Sequence, residues 1–350
     1  MVERTFLQAG RLVRPLACSA GVRSRGYSLP LQRRITDFGA DVAFGRVPAK
    51  LEEHYGIQVP VSAVRSVTEG HARALRDGAQ LQEAWPQAAG EPRLIAELDG
   101  SMIPIVDTVA PEAAAPGQDR RKTRTLRWQE ARLALAYAPG SVNPVFGATL
   151  DGPEAAGNEV RHCALRAGLG RATQVHGLGD GALWIAEQME RVFGAQGRYL
   201  VDFYHVGEYL AAAAKGGAAT EPTAWLACQK EQLKTGQVQQ VLHALQPHLE
   251  AETLPSAAAP VRACHRYLSN RLDHLDYAGA LAADLPIGSG EIESAHRYVI
   301  QARLKLAGAW WNEAIAHDML ALRVCRANHD WESYWSTQTR HTAGEPTQQF

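Results

Sequence analysis

The stretch from residue 172 to residue 206, ATQVHGLGDGALWIAEQMERVFGAQGRYLVDFYHV, decides how the rest of the chain is read. ATQVH is a short β-type run that opens into the glycine-rich turn GLGDG. ALWIAEQMERVFG places apolar residues at helical spacing and stops at a glycine, and RYLVDFYHV is a second β-type run leading into the helical GEYLAAAAK. Upstream, LIAELDG is a short apolar run closed by an acid, IPIVDTV, LALAYA and VFGATL read as strands, and NEVRHCALRAGL is helical. Early strands followed by strand and helix in alternation predict an α/β fold, a mixed sheet with helices packed on it.

The flanks have a different texture. Residues 35–75 read as helices: FGRVPAKLEEHYG ends at Gly56, IQVP turns, and VSAVRSVTEGHARAL starts a second helix with Val61, Val64 and Val67 near helical spacing. Helix, short turn, helix is the helix-turn-helix pattern, and its second helix offers Ser62, Arg65, Ser66 and Thr68 on polar positions suited to a DNA groove. Before it, residues 1–34 form a basic arm with seven arginines (Arg4, Arg11, Arg14, Arg23, Arg25, Arg33, Arg34) against Glu3, which suits a polyanionic partner. Residues 76–93 read as a linker, and 94–336 as the main domain. Within that domain, residues 220–283 are Ala-, Gln- and Leu-rich and read as a helical insertion, while residues 337–350 read as a disordered tail. RRKTRTLRW is a basic hairpin segment whose Arg120, Arg121, Lys122 and Arg124 suit a DNA backbone.

With 350 residues, 46% of them hydrophobic, the chain has ample material for one large domain and a small one. Its net charge of −1 argues neither for nor against nucleic acid, so the charge gradient carries more than the total. The five cysteines form no CxxC pair, which fits a reducing cytoplasm and gives little support to structural zinc. No apolar run is long enough to cross a membrane.

Three acids stand where strands or turns end: Asp99 after LIAEL, Asp180 in GLGDGA, and Glu293 at the start of a late helix. They are separated by 81 and 113 residues, so only tertiary structure can bring them together. Carboxylates on rigid elements are what two hard divalent cations need for phosphodiester cleavage, although an acid at a strand end also caps turns and one in a first helical turn also complements the helix dipole. In LPIGSGEIESAHRYVIQARL, residues 285–304, Ile292, Ala295 and Val299 begin a buried stripe continued by Ala302 and Leu306. Glu293 flanks that stripe beside Arg297 and Ile300, while Glu291 lies about 200° round the helix. Ser289 is the expected N-cap. Trp310 and Trp311 read as core residues.

These segments in order, ELDGSMIPIV, RKTRTLRWQEARLALAY, GLGDGALWI, YLVDFYHVGEYL, LPIGSGEIESAHRYVIQARLKLAGAWW and WESYW, resemble a bacterial insertion-sequence transposase of the ISKra type. The resemblance spans nearly the whole chain, from about residue 32 to residue 335. It implies a DDE transposase with a ribonuclease-H-like core, in which Asp99, Asp180 and Glu293 are the catalytic acids and ligands of two Mg²⁺ ions, with Mn²⁺ as a substitute. It gives Asp202 and His205 of DFYH, and Arg297, supporting roles. It also implies terminal-repeat and target DNA as partners, a homo-oligomer on DNA, and a nucleoid-associated protein. Relatives often begin with a Cys-rich segment, where this chain has only Cys18.

Two other readings fit the residues. Gly177, Gly179 and Ala182 spell G-x-G-x-x-A after a strand, with Asp202 near the distance of a ribose-binding acid, as in a nicotinamide-dinucleotide oxidoreductase. A catalytically inactive DNA-binding protein is the third.

Overall fold

The computed structural model describes residues 6–8, 11–13, 26–79, 85–108 and 119–344. In chain order, a short antiparallel pair, β1 (Phe6–Gln8) and β2 (Arg11–Val13), precedes the helices α1 (Leu29–Asp41), α2 (Val47–Tyr55) and α3 (Val61–Asp77). Next come β3 (Arg93–Asp107), β4 (Thr125–Tyr137), β5 (Val145–Thr149), α4 (Pro153–Arg166), β6 (Gln174–Gly179), α5 (Leu183–Phe193), β7 (Gly197–Val201) and α6 (Phe203–Ala213). The helices α7 (Pro222–Lys234), α8 (Val238–Leu245), α9 (Pro260–Ser269) and α10 (Tyr277–Ala282) come after these. The chain continues through α11 (Gly290–Ala295), a π-helical turn (His296–Gln301), α12 (Ala302–Leu304), α13 (Glu313–Ala327) and α14 (Trp331–Gly344).

The fold is mixed α/β. Five strands form one sheet in the order β5-β4-β3-β6-β7. β6 pairs in parallel with both β3 and β7, whereas β4 and β5 are antiparallel. The chain divides into two compact units, one of residues 81–101 and 132–295 and one of residues 1–80, 102–131 and 296–350.

In the first of these units the alternation along β3 sorts its side chains between two cores. Leu94, Ala96 and Leu98 join Val160 of α4 with Ile185 and Met189 of α5. Ile95 faces the other way, with Leu178, Leu200 and the helices α6 to α10. Gly177 and Gly179 lie inside β6, where a Cβ would come within 3.1 Å of the Met189 sulfur and 3.0 Å of Ile185 Cγ2, so glycine there admits α5 close to the sheet. The end of the expected linker is packed rather than free. Ala88, Ala89 and Pro92 accept hydrogen bonds from Arg171, Ala172 and Gln174, and Trp85 packs on the α4–α5 core under Arg161. Gly90 takes φ +78°, and a Cβ on it would lie 2.3 Å from the Gly170 nitrogen.

In the second unit α3 packs against α13 and α1. Its buried positions are Val64, Thr68, His71 and Ala72, and Val61 is exposed, so the apolar stripe starts one turn later than the valine spacing suggested. Asp318 of α13, almost fully buried, pairs with Arg76 at 2.9 Å and Arg73 at 3.5 Å. Arg33 and Arg34 belong to α1, and Arg33 pairs with Glu332, so the helix starts inside the expected basic arm. The side chains of the other arginines of that arm, and Cys18, lie outside the described residues.

Three further expectations are corrected. The runs from Leu94 and from Ile103 are one continuous strand, so Asp99 sits within β3 and not at a strand end. The stripe of the glutamate helix breaks at the π-helical turn, because a wider turn rotates the positions after it relative to an α-helical count. Arg303 and Leu304 are buried in place of Ala302, which is exposed, and Leu306, which is half-buried. The expected disordered tail is helical through Gly344, and residues 345–350 lie outside the described residues.

Gly90→Ala is expected to lower thermal stability by about 1–3 kcal/mol, through a positive φ and a backbone collision. Thermal unfolding followed by circular dichroism checks this, and an unchanged midpoint would show that the segment can move aside.

Candidate active site

The parallel ladders set the site. β3 pairs with β6 from Arg93↔Gln174 to Glu97↔Leu178, an offset of 81 residues. β6 pairs with β7 from Val175↔Gly197 to Gly179↔Val201, an offset of 22. Carried to the next positions, the same offsets put Asp99, Asp180 and Asp202 on one line across three neighbouring strands. The Asp202 N–H still donates to Gly179 O at 2.8 Å. Opposed residues in a ladder share a face, so this line continues the face of Ile95, Leu178 and Leu200.

The three aspartates are held differently. Asp99 is half-buried and its Oδ1 accepts the Gly100 N–H at 2.7 Å. Asp180 follows β6 directly, half-buried, and its Oδ1 accepts the Ala182 N–H at 2.8 Å. Its loop is pinned from three sides. Tyr267 Oη donates to Asp180 O at 2.5 Å, Arg271 Nε donates to Gly181 O at 2.6 Å, and the Gly181 N–H donates to Tyr199 Oη at 3.0 Å. Gly181 has φ +85°, and a side chain there would strike Tyr267 Oη. Asp202, only 2% exposed, accepts four hydrogen bonds. Its Oδ1 caps α6 through the Tyr204 and His205 N–H groups, and its Oδ2 receives both the N–H and the hydroxyl of Ser289 at 2.6 Å.

Ser289 therefore donates to Asp202 and does not use its hydroxyl as the expected N-cap of α11. The orphan N–H of Ile292 instead donates to Glu97 Oε2 at 2.9 Å, and Tyr137 donates to Glu97 Oε1 at 3.1 Å. Glu97 is fully buried on β3, on the same face as Asp99. Burial raises its pKa from 4.5 to about 7; the Ile292 and Tyr137 hydrogen bonds oppose the shift, and the charges of Glu291 and Asp202 reinforce it. The sequence reading passed over Glu97. The signal was present in LIAELDG, an acid inside an apolar run two residues before Asp99. Tyr137, Tyr199, Tyr267 and Arg271 were passed over as well, and nothing in their local sequence marks them.

Glu291 and Glu293 are both exposed in the first turn of α11. His205 is half-exposed on α6, 3.7 Å from Glu208, with its ring against Tyr209. Arg297 is exposed on the π-helical turn. Among the described residues, no group of three or more His, Cys, Asp or Glu side chains is gathered to hold a metal ion.

The expected DNA-contacting residues separate. Ser62, Arg65 and Ser66 are exposed on α3, and Arg65 pairs with Glu69 at 3.3 Å. Thr68 is 0% exposed and packs against Gly39 of α1, so it cannot reach a base. Arg120–Thr123 is a 3₁₀ turn and not a hairpin; Lys122 and Arg124 are exposed, and the side chains of Arg120 and Arg121 lie outside the described residues. The dinucleotide fingerprint is corrected too. Gly177 and Gly179 are strand residues packed under α5, not a phosphate-cradling turn, and Asp202 spends its carboxylate on protein N–H and O–H groups.

Compared with known proteins, the chain matches no family model and no curated protein. Among the described residues, no helix is long and apolar enough to cross a membrane.

Glu97 makes stability pH-dependent. Between pH about 4.5 and about 7 the folded chain holds a proton at Glu97 that the unfolded chain has lost, so this contribution is present below the window and disappears as pH rises through it. Glu97→Gln is expected to flatten the fall in melting temperature from pH 4.5 to 8 relative to the unchanged protein. Parallel curves for the two would show that Glu97 ionises normally.

Proposed function

We propose that this chain is a DNA transposase with a ribonuclease-H-like core, cutting phosphodiester bonds at transposon ends and joining the freed ends to target DNA. The observation that carries the reading is the level placement of Asp99 and Asp180 on adjacent parallel strands. Beside it, two buried carboxylates tie down the start of the helix that bears Glu291 and Glu293. The mixed sheet and the helical stretch from Pro222 to Ala282, entered after α6 and left before α11, support it as well.

The donor chemistry fits a hard divalent cation such as Mg²⁺, which prefers carboxylate oxygens. Asp180 is held by its Oδ1 alone, and its Oδ2 has no hydrogen-bond partner among the described residues. Asp99 and Asp180 would hold the ion, and Glu293 is the third acid by the resemblance. When bound, such ions supply Lewis-acid activation of a water or a 3′-hydroxyl and charge compensation at the leaving oxygen. Asp202 is a positioning residue, since its four hydrogen bonds occupy both oxygens. Tyr267 and Arg271 keep the Asp180 loop in place, and Glu97 holds the first turn of α11. Ser62, Arg65 and Ser66 on α3, with Lys122 and Arg124, are the surfaces offered to DNA, on which the protein would act as a homo-oligomer in the bacterial nucleoid.

Asp99→Asn, Asp180→Asn and Glu293→Gln should each abolish Mg²⁺-dependent cleavage of a duplex carrying the DNA that flanks the gene, with folding unchanged by circular dichroism. Glu291→Gln should retain cleavage and cost only a few tenths of a kcal/mol in stability, about the helix-dipole contribution. Loss in Glu291→Gln with activity kept in Glu293→Gln would reverse the assignment of the third acid, and full activity in Asp99→Asn would sink the reading.

Arg65→Ala should weaken duplex binding by about 1–3 kcal/mol and relax sequence preference if Arg65 reads a base. A uniform loss across sequences with a shallower salt slope would assign it to phosphate instead.

A further inference from the structure

The helical unit contains a cavity of about 500 Å³ with Phe44, Ser62, Arg65, Arg303, Trp310 and Ile315 in its wall. Arg303 is its unusual member. It is 2% exposed, its Nε donates to Gly39 O at 3.0 Å, and its guanidinium lies between the rings of Phe44 and Trp311, 4.6 and 4.7 Å from their centroids. Its Nη2 is buried and has no hydrogen-bond partner. A buried charged donor left unpaired is costly, and one in a cavity wall can be satisfied by a ligand entering the cavity. The second observation is Trp310. Both tryptophans read as core residues, yet Trp311 is buried while Trp310 is 55% exposed beside the cavity.

We propose that this cavity receives a single unstacked nucleobase of DNA, with Trp310 stacking on the ring and Arg303 donating to an acceptor on its edge. The pocket's role rests on the chain acting on DNA. The volume is in the range of small-ligand sites, and a cavity walled by rings and aliphatic groups with one fixed donor suits a flat ring with an acceptor edge. A lone phosphate would leave Trp310 and Ile315 without a role. An aliphatic side chain would leave Arg303 unpaired. Guanine, with O6 and N7 as neighbouring acceptors, is the base an arginine serves best. Ser62 and Arg65 come from α3, so the strand entering the cavity would run beside the helix proposed to lie on DNA.

The test uses the full chain without added metal, so that catalysis plays no part. Tryptophan fluorescence is titrated with an eight-nucleotide single strand that is abasic at every position but one, which carries guanine, and with the fully abasic strand. The guanine strand should bind about ten-fold tighter, the size of one base–aromatic stack, with quenching. Trp310→Ala, an exposed position that can be changed without disturbing the core, should bring the two strands to within about two-fold. Arg303→Lys should reduce the preference for guanine over thymine at the single base. Equal binding of both strands by the unchanged protein, or an unchanged base preference in Trp310→Ala, overturns the pocket and leaves the DNA reading standing. A protein that binds neither strand overturns both.

Discussion

Two buried carboxylates joining the ends of the parallel strands to the segment before α11 are the constraint on which the rest of the site depends. Asp202 grips Ser289 through both its N–H and its hydroxyl while capping α6, and Glu97 takes the Ile292 N–H. The Phe203 N–H adds a backbone bond to Ile287 O at 2.8 Å. Each carboxylate answers N–H groups that would otherwise be orphaned at a helix start, so losing either leaves donors unmet in the interior as well as removing a contact. The two differ in cost. Asp202 is surrounded by four donors, whereas Glu97 has two and carries a pKa pushed up by burial.

The helical stretch between α6 and α11 is part of the same construction. Tyr267 and Arg271, from the last turn of α9 and just beyond it, hold the two carbonyls on either side of the Asp180–Gly181 peptide, and Tyr199 of β7 holds the Gly181 N–H. Tyr267 is in turn stacked on Tyr209 of α6 with centroids 4.0 Å apart. The loop bearing Asp180 is thus fixed by its backbone, which leaves the carboxylate itself lightly committed.

Much of this was legible in the sequence. Period-two runs and helical spacing gave the α/β order around residues 172–206, and acids at element ends singled out Asp99 and Asp180. What the sequence could not show was register. The spacing of 81 residues between Asp99 and Asp180 becomes meaningful only because the β3–β6 ladder has the same offset. Asp202 falls on the same level through the second ladder, a relation that no local pattern encodes. The π-helical turn was invisible because spacing arguments assume a constant turn. Thr68 was misjudged because a polar residue opposite a glycine, here Gly39, can pack as tightly as an apolar one. Gly177 and Gly179 illustrate the converse: a motif that spells a phosphate loop in letters is, in the strand, a way of bringing a helix close.

The clasp at Ser289 joins residues 87 apart in the chain, and the Glu97–Ile292 bond joins residues 195 apart. Everything between Asp202 and Ser289, helices and turns alike, is a closed loop once the clasp forms. Loop-closure entropy grows only slowly with length, so inserting so much chain costs the finished fold little. The burden falls on timing. Contacts of such sequence separation form late, after the local helices and the β6–α5–β7 crossover can already exist. The start of the acid-bearing helix is therefore among the last parts of its unit to be fixed. A chain still lacking α11 can hold its aspartate line in place without yet holding the glutamates.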